Sequence, residues 1–83
     1  MDYILTQHAK DVLMERDILI EWLERVLIAP EKIQADTVYP EVEHRLGKIF
    51  EYGNRVLRVV YNKETHPVRV ITVYFDRTMK GRL

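Results

Sequence analysis

Two β-branched runs near the end of the chain restrict its fold more than any other feature. They are Arg55-Val-Leu-Arg-Val-Val-Tyr61 and Val68-Arg-Val-Ile-Thr-Val-Tyr-Phe75. A polar connector, Asn62-Lys-Glu-Thr-His-Pro67, separates them. Runs of Val, Ile, Tyr and Thr bounded by turn residues favour extended chain, and two of them joined this way predict an antiparallel hairpin. The hairpin is unusual in carrying arginines within its strands and a basic segment, Asp76-Arg-Thr-Met-Lys-Gly-Arg-Leu83, after them.

Upstream, Leu46–Tyr52 reads as another strand closed by the Gly53-Asn54 turn signal. Ile33, Ala35 and Thr37 alternate with polar residues, which allows a short strand before Pro40 interrupts, and Glu41–Arg45 is loop or strand entry. Earlier still the period changes. Thr6 is a candidate N-cap for a helix over about 8–15, with Ala9, Val12 and Leu13 on one stripe. A second helix is expected over about 18–28, its inner stripe being Leu19, Trp22, Leu23, Val26 and Leu27. Glu21 and Arg25 form an i,i+4 pair on its outer side, and Pro30 stops it. Ile20 and Ile28 lie off that stripe, as a docking surface or as packing beneath a loop. Tyr3-Ile4-Leu5 is short and β-prone, an edge strand at most. The expected fold is α+β: two N-terminal helices packed on one face of a three- to four-stranded antiparallel sheet, its other face open.

Eighty-three residues make one domain, spanning 1–83. A chain of this length buries only roughly 60–65% of its unfolded surface, so its core is thin. There is no cysteine, which removes disulfides and thiolate metal sites. His8, His44 and His66 are scattered with no ligand spacing, so neither a metal nor any other cofactor is expected. There is no serine and no phosphate-binding glycine loop. No run approaches a membrane span, and the first residues lack the pattern of a signal peptide, so a cytoplasmic protein is expected.

The zero net charge hides an asymmetry. Residues 1–43 hold four basic residues against ten acidic ones, a net −6. Residues 44–83 hold nine against three, a net +6. A basic half of this kind suits a polyanion, or it attracts the acidic half of the same or another copy.

If Leu57 and Val59 pack inward together with Ile71, Val73 and Phe75, then Arg58, Thr72 and Tyr74 share the opposite face. A slip of one residue in register would exchange the faces. Arg58 is otherwise a solvated strand arginine paired with Glu51.

Several segments together carry a resemblance. Thr6-Gln-His-Ala-Lys10, Arg16-Asp-Ile18, Val26-Leu27, Pro30, Leu57-Arg-Val-Val-Tyr61 and Val70-Ile-Thr-Val-Tyr74 look like the small bacterial family known as domain of unknown function 4258, over nearly the whole chain. That family resembles the RelE, BrnT and HigB toxins of toxin–antitoxin pairs, which are ribonucleases acting on mRNA. The resemblance implies an endoribonuclease, and the lack of cysteine and of clustered His, Asp or Glu ligands makes its activity metal-independent by expectation. Arg58 matches the arginine of the RelE-type Arg-Leu-Val-Tyr strand, and Arg77 its second catalytic arginine. Ile49 and Glu51 stand where that type carries lysines, with Lys48 close by. The C-terminal tyrosine of that type falls near Leu83, which leaves Tyr74 to substitute for it. The implied site is therefore Arg58, Arg77 and Tyr74, with Arg45, Lys48, Lys80 and Arg82 holding the RNA backbone. Arginine keeps its proton, so the base would be a lysine, His44 or a carboxylate such as Glu51. The implied partners are an antitoxin and RNA, including ribosome-bound mRNA, in a homodimer or a toxin–antitoxin hetero-oligomer. The alternative is a non-catalytic RNA- or protein-binding module on the same fold.

Overall fold

The computed structural model describes all residues, 1–83. In chain order the elements are β1 (Tyr3–Leu5), α1 (Gln7–Glu15), α2 (Ile20–Ile28), β2 (Lys32–Ala35), β3 (Val42–Ile49), β4 (Arg55–Asn62) and β5 (Val68–Phe75). Short 3-10 turns cover Phe50–Tyr52 and Arg77–Met79. The strands form one sheet in the order β1-β5-β4-β3-β2.

This corrects the expected architecture in three ways. The sheet has five strands, not three or four. It is mixed, because β1 runs parallel to β5 with Tyr3 opposite Val68 and Leu5 opposite Val70. The helices are not an N-terminal layer: they follow β1 and carry the chain from one sheet edge to the other. The physical reason lies in Tyr3 and Leu5. Both are half-buried against the core, and the Tyr3 hydroxyl donates to Glu24 of α2 at 3.0 Å. Three residues are enough for a strand when one side is packed and the backbone is paired.

Thr6 joins these parts. Its backbone N–H donates to the Val70 carbonyl at 3.0 Å. Its hydroxyl donates to the Ile71 carbonyl at 2.9 Å and accepts from the Ala9 N–H at 3.1 Å. One side chain thus ends β1, caps α1 and fastens both to β5. The turn into α2 needs a left-handed residue, Asp17 at φ 53°. It carries Ile18 into the core, while Leu19, expected inside, stays 48% exposed.

α1 lies over β5 and β1, and α2 over β3 and β4. Ala9, Ile18, Trp22, Leu23, Val26 and Leu27 pack onto Ile49, Leu57, Val59, Tyr61, Val70 and Val73. Gly47 allows the close approach of α2: a Cβ there would stand 3.1 Å from Val26 Cγ2. The opposite face is not wholly open. Met79, from the turn after β5, covers Leu46 and Val56, with Leu83 beside them. Ile20 and Ile28 are both exposed. No helix is long and apolar enough to cross a membrane.

A bulge between Val60 and Tyr61 on β4 and the facing Ile71 on β5 shifts the inward phase. Val68 and Val70 face the helices before it, and Val73 and Phe75 after it. Ile71, expected in the core, is the extra residue and is only half-buried. Beyond the bulge Arg58 stands opposite Tyr74.

Candidate functional site

Arg58 points to the face away from the helices and is almost entirely engaged there. Its Nε donates to Asp76 Oδ2 at 2.9 Å, and its Nη2 lies 2.7 Å from the same oxygen. Its Nη1 reaches Gln34 Oε1 and His44 Nδ1, both at 2.9 Å. Guanidinium only donates, so His44 Nδ1 accepts, and Nε2 carries the ring proton toward Asp36 Oδ1 at 2.7 Å. The side chains of Arg58 and Asp76 are each only 11% exposed.

Each end of this network is anchored in a turn. Asp36 Oδ2 accepts from the backbone N–H groups of Val38 and Tyr39, both at 3.0 Å. The Tyr39 amide, then His44 and then the Val38 amide hold the Asp36 carboxyl at about 2, below its ordinary 3.8. Asp76 Oδ1 accepts from the Thr78 hydroxyl at 2.6 Å and the Thr78 N–H at 3.0 Å. The Thr78 hydroxyl foremost, then Arg58, lowers the Asp76 carboxyl against the opposing effect of burial. Arg58 therefore ties the 36–39 loop to the turn over residues 77–79.

That turn forms one wall of a groove of about 760 Å³. The groove follows β5 over Thr72–Asp76, where β1, paired only as far as Val70, no longer covers the edge. Val12, Arg16 and Ile18 line it from the α1 side, Tyr52, Arg55 and Val56 from the start of β4, and Arg77 and Lys80 from the turn. It thus holds four cationic side chains, Arg16, Arg55, Arg77 and Lys80, against one carboxylate, Asp76, which Arg58 already neutralises. None of the four has an acidic partner, whereas Arg25, Lys48, Arg58 and Lys63 are all paired.

The aromatic rings of the groove differ in availability. Tyr52 is stacked on Trp22 at 5.2 Å between centroids, and the Arg55 guanidinium lies 4.7 Å above its ring. Phe75 packs edge-on against Trp22 at 6.0 Å and, tilted by 45°, against Tyr52 at 5.2 Å. Tyr74 is 42% exposed and has no aromatic or cationic neighbour of this kind.

The residues singled out in the sequence are divided by this geometry. Tyr74, Arg77 and Lys80 come together in the groove, and Arg58 stands behind them, bonded to Asp76. Arg45 lies on the helix-bearing face. It donates to the Tyr61 hydroxyl at 2.8 Å and to the Leu27 carbonyl at the end of α2, with its guanidinium 5.3 Å above the Tyr61 ring. The Tyr61 hydroxyl in turn donates to Glu43, and burial foremost raises its pKa. Lys48 pairs with Glu31 at 3.7 Å and reaches the Leu83 carbonyl, and Arg82 is exposed outside the groove lining. Glu51 is held by Arg25 through two bonds of 2.8 Å, so it partners neither Arg58 nor a reacting proton. That bond replaces the expected Glu21–Arg25 pair, and Arg25 chiefly accounts for a Glu51 carboxyl at about 2.

Sequence reading missed Arg16, Arg55 and Asp76. Arg55 carried a usable signal, since the Gly53-Asn54 turn returns the chain at once and brings it over Tyr52. Asp76 carried another, because an aspartate two residues before Thr78 is a common turn cap.

No curated protein and no solved structure matches the chain. A family model does match, over residues 5–75. The matched span takes in both helices, all of the sheet from Leu5 onward, Arg58 and Tyr74, and it stops just before Asp76, Arg77 and Lys80. By that match the chain belongs to the DUF4258 family, a domain of unknown function.

Proposed function

We propose that the chain is a metal-independent endoribonuclease of the toxin type, binding single-stranded RNA in the groove along β5. The supporting observation is the set of four cations without acidic partners, gathered beside an accessible tyrosine. The resemblance to RelE- and BrnT-type toxins points to the same chemistry. In such a cleavage the 2′-oxygen bonds to phosphorus and the bond from phosphorus to the 5′-oxygen breaks. The products are a 2′,3′-cyclic phosphate and a 5′-hydroxyl. Arg77 and Arg55, permanently charged, would stabilise the negative charge that develops on phosphorus. Lys80 and Tyr74 are the groove groups able to exchange a proton with the attacking and leaving oxygens. An antitoxin covering this groove would neutralise the same charges.

A second reading is a non-catalytic RNA-binding module. It is favoured by the engagement of His44 between Arg58 and Asp36 and of Glu51 with Arg25, which takes both out of proton transfer. One assay separates the two. End-labelled RNA incubated with purified chain in EDTA should yield fragments with cyclic-phosphate ends, and expression of the chain alone should arrest growth. Binding without cleavage or arrest selects the second reading, and no RNA binding at all rejects both.

A further inference from the structure

We infer that the groove seats one nucleotide of a single strand with its base on the Tyr74 ring and its flanking phosphates on Arg77 and Lys80 from the turn and on Arg16 and Arg55 from the opposite wall. The inference rests on the RNA-binding reading and adds to it a base platform and two phosphate contacts, Arg16 and Arg55.

The choice of Tyr74 follows by elimination. Base stacking needs an aromatic face that is not already covered. Tyr52 has Trp22 stacked against it and Arg55 above it, and Phe75 packs against both Trp22 and Tyr52. Only Tyr74 among the groove aromatics offers a ring without such a neighbour. Its backbone is held on both sides: β4 pairs with it through Arg58, and the Asp76-capped turn follows two residues later. An exposed ring on a paired strand, with cations around it, binds an unpaired base and its phosphates at once. A duplex keeps its bases stacked on each other and would reach only the cations.

The phosphate contacts follow from distribution. The four cations come from three separate elements, the end of α1, the start of β4 and the turn after β5, and the groove passes between them. Arg16 and Arg55 are exposed and unpaired, so a phosphate meets no competing carboxylate there. Asp76, the one acid in the lining, is occupied by Arg58 and Thr78.

The test uses the whole chain and fluorescein-labelled 2′-O-methyl hexaadenylate, which binds without being cleaved, and reads affinity by anisotropy across a salt series. The comparison ligands are the same backbone with abasic residues and a duplex of equal length. The hexaadenylate should bind about tenfold or more tightly than the abasic strand. Tyr74→Ala should remove that advantage while leaving abasic binding unchanged, and Tyr74→Phe should restore it. Restoration by phenylalanine would show that the ring, not the hydroxyl, is used in binding. Arg16→Ala and Arg55→Gln should each reduce the slope of log affinity against log salt by about 0.7. Lys63→Ala, outside the groove, should not change it. Equal binding of the base-bearing and abasic strands, or Tyr74→Ala with parental affinity, overturns the base platform. Unchanged slopes for both arginine variants overturn the phosphate assignment. If none of the three ligands binds, the RNA-binding reading falls and takes this inference with it, a result distinct from binding that ignores these residues.

Discussion

Replacing Arg58 by alanine should mainly destabilise the fold, and this separates a structural arginine from one that acts on a ligand. Three acceptors lose their donor at once: Asp76 Oδ2, Gln34 Oε1 and His44 Nδ1. The Asp76 side chain is only 11% exposed, so water replaces the lost bonds incompletely. Removing one partner of a buried ion pair costs about 3–5 kcal/mol, and the lower end applies to a pair at the rim of a face that water can reach. A cost of about 3 kcal/mol lowers the melting temperature of a domain this small by roughly 12–24 °C. Total stability at this size is on the order of 4–12 kcal/mol, so the variant would sit near its limit. Urea titration gives the number directly, with an unchanged slope m showing that the unfolded state is the same. Arg77→Ala is the comparison, because that side chain is exposed and unpaired, and its stability should stay within about 0.5 kcal/mol. A cycle with Asp76→Asn should show strong coupling to Arg58. If Arg58→Ala costs less than about 1 kcal/mol yet abolishes RNA cleavage, Arg58 acts on the substrate and the structural role argued from its bonds fails.

Two further perturbations test other parts of the structure. Gly47→Ala should destabilise by about 1–3 kcal/mol through overpacking against Val26, whose Cγ2 would lie 3.1 Å from the new methyl; urea midpoints should show that adding Val26→Ala costs less in that background than in the parent. Acid should weaken the 36–39 loop in a defined direction. The Asp36 carboxyl lies at about 2 in the folded chain and near 3.8 when free, so its contribution is complete above about pH 4 and disappears as pH falls through about 2. Asp36→Asn should therefore flatten the fall in urea midpoint over that interval, and an unaltered acid profile would refute the linkage.

Much of the fold is visible in periods of two and of 3.6, and the misses share a cause. Leu57, Val59, Val73 and Phe75 of the hairpin and Trp22, Leu23, Val26 and Leu27 of α2 follow those periods inward, whereas Leu19, expected on the same stripe, is exposed. Ile71 defeats that logic, because a bulge inserts one residue that no hydrophobic pattern marks. The face expected for Arg58 and Tyr74 survives only because the bulge lies before Thr72 and leaves the later register intact. β1 was visible as a short β-prone stretch, but its parallel pairing depends on Thr6 being bonded to Val70 and Ile71, a contact spanning more than sixty residues. The ion pairs show the same limit. Arg58 with Asp76, and Arg25 with Glu51, join residues 18 and 26 apart, where local spacing has no force.

Arg45 shows why a charge count is an unsafe guide to a binding face. Along β3, Glu43, Arg45, Gly47 and Ile49 alternate inward with Val42, His44, Leu46 and Lys48 on the other side. Two of those four inward residues are charged, which is allowed only where each charge is paired. Each has its partner here: Glu43 accepts from the Tyr61 hydroxyl, and Arg45 donates to that same hydroxyl and to Leu27. The Leu27 carbonyl is one of the acceptors that the last turn of α2 leaves without an intrahelical donor. Arg45 thus does on the helix-bearing face what a C-cap would do, with its guanidinium over the Tyr61 ring. Counted among nine basic residues it inflated the apparent charge of the C-terminal half. Subtracting it, together with Lys48, Arg58 and Lys63, all paired, leaves Arg55, Arg69, Arg77, Lys80 and Arg82. Three of these five line the groove, and Arg16 joins them from the acidic half of the chain. The proposed polyanion site is therefore chosen by which cations lack partners and share one cleft, a property of the folded surface that crosses the sequence boundary between the acidic and basic halves.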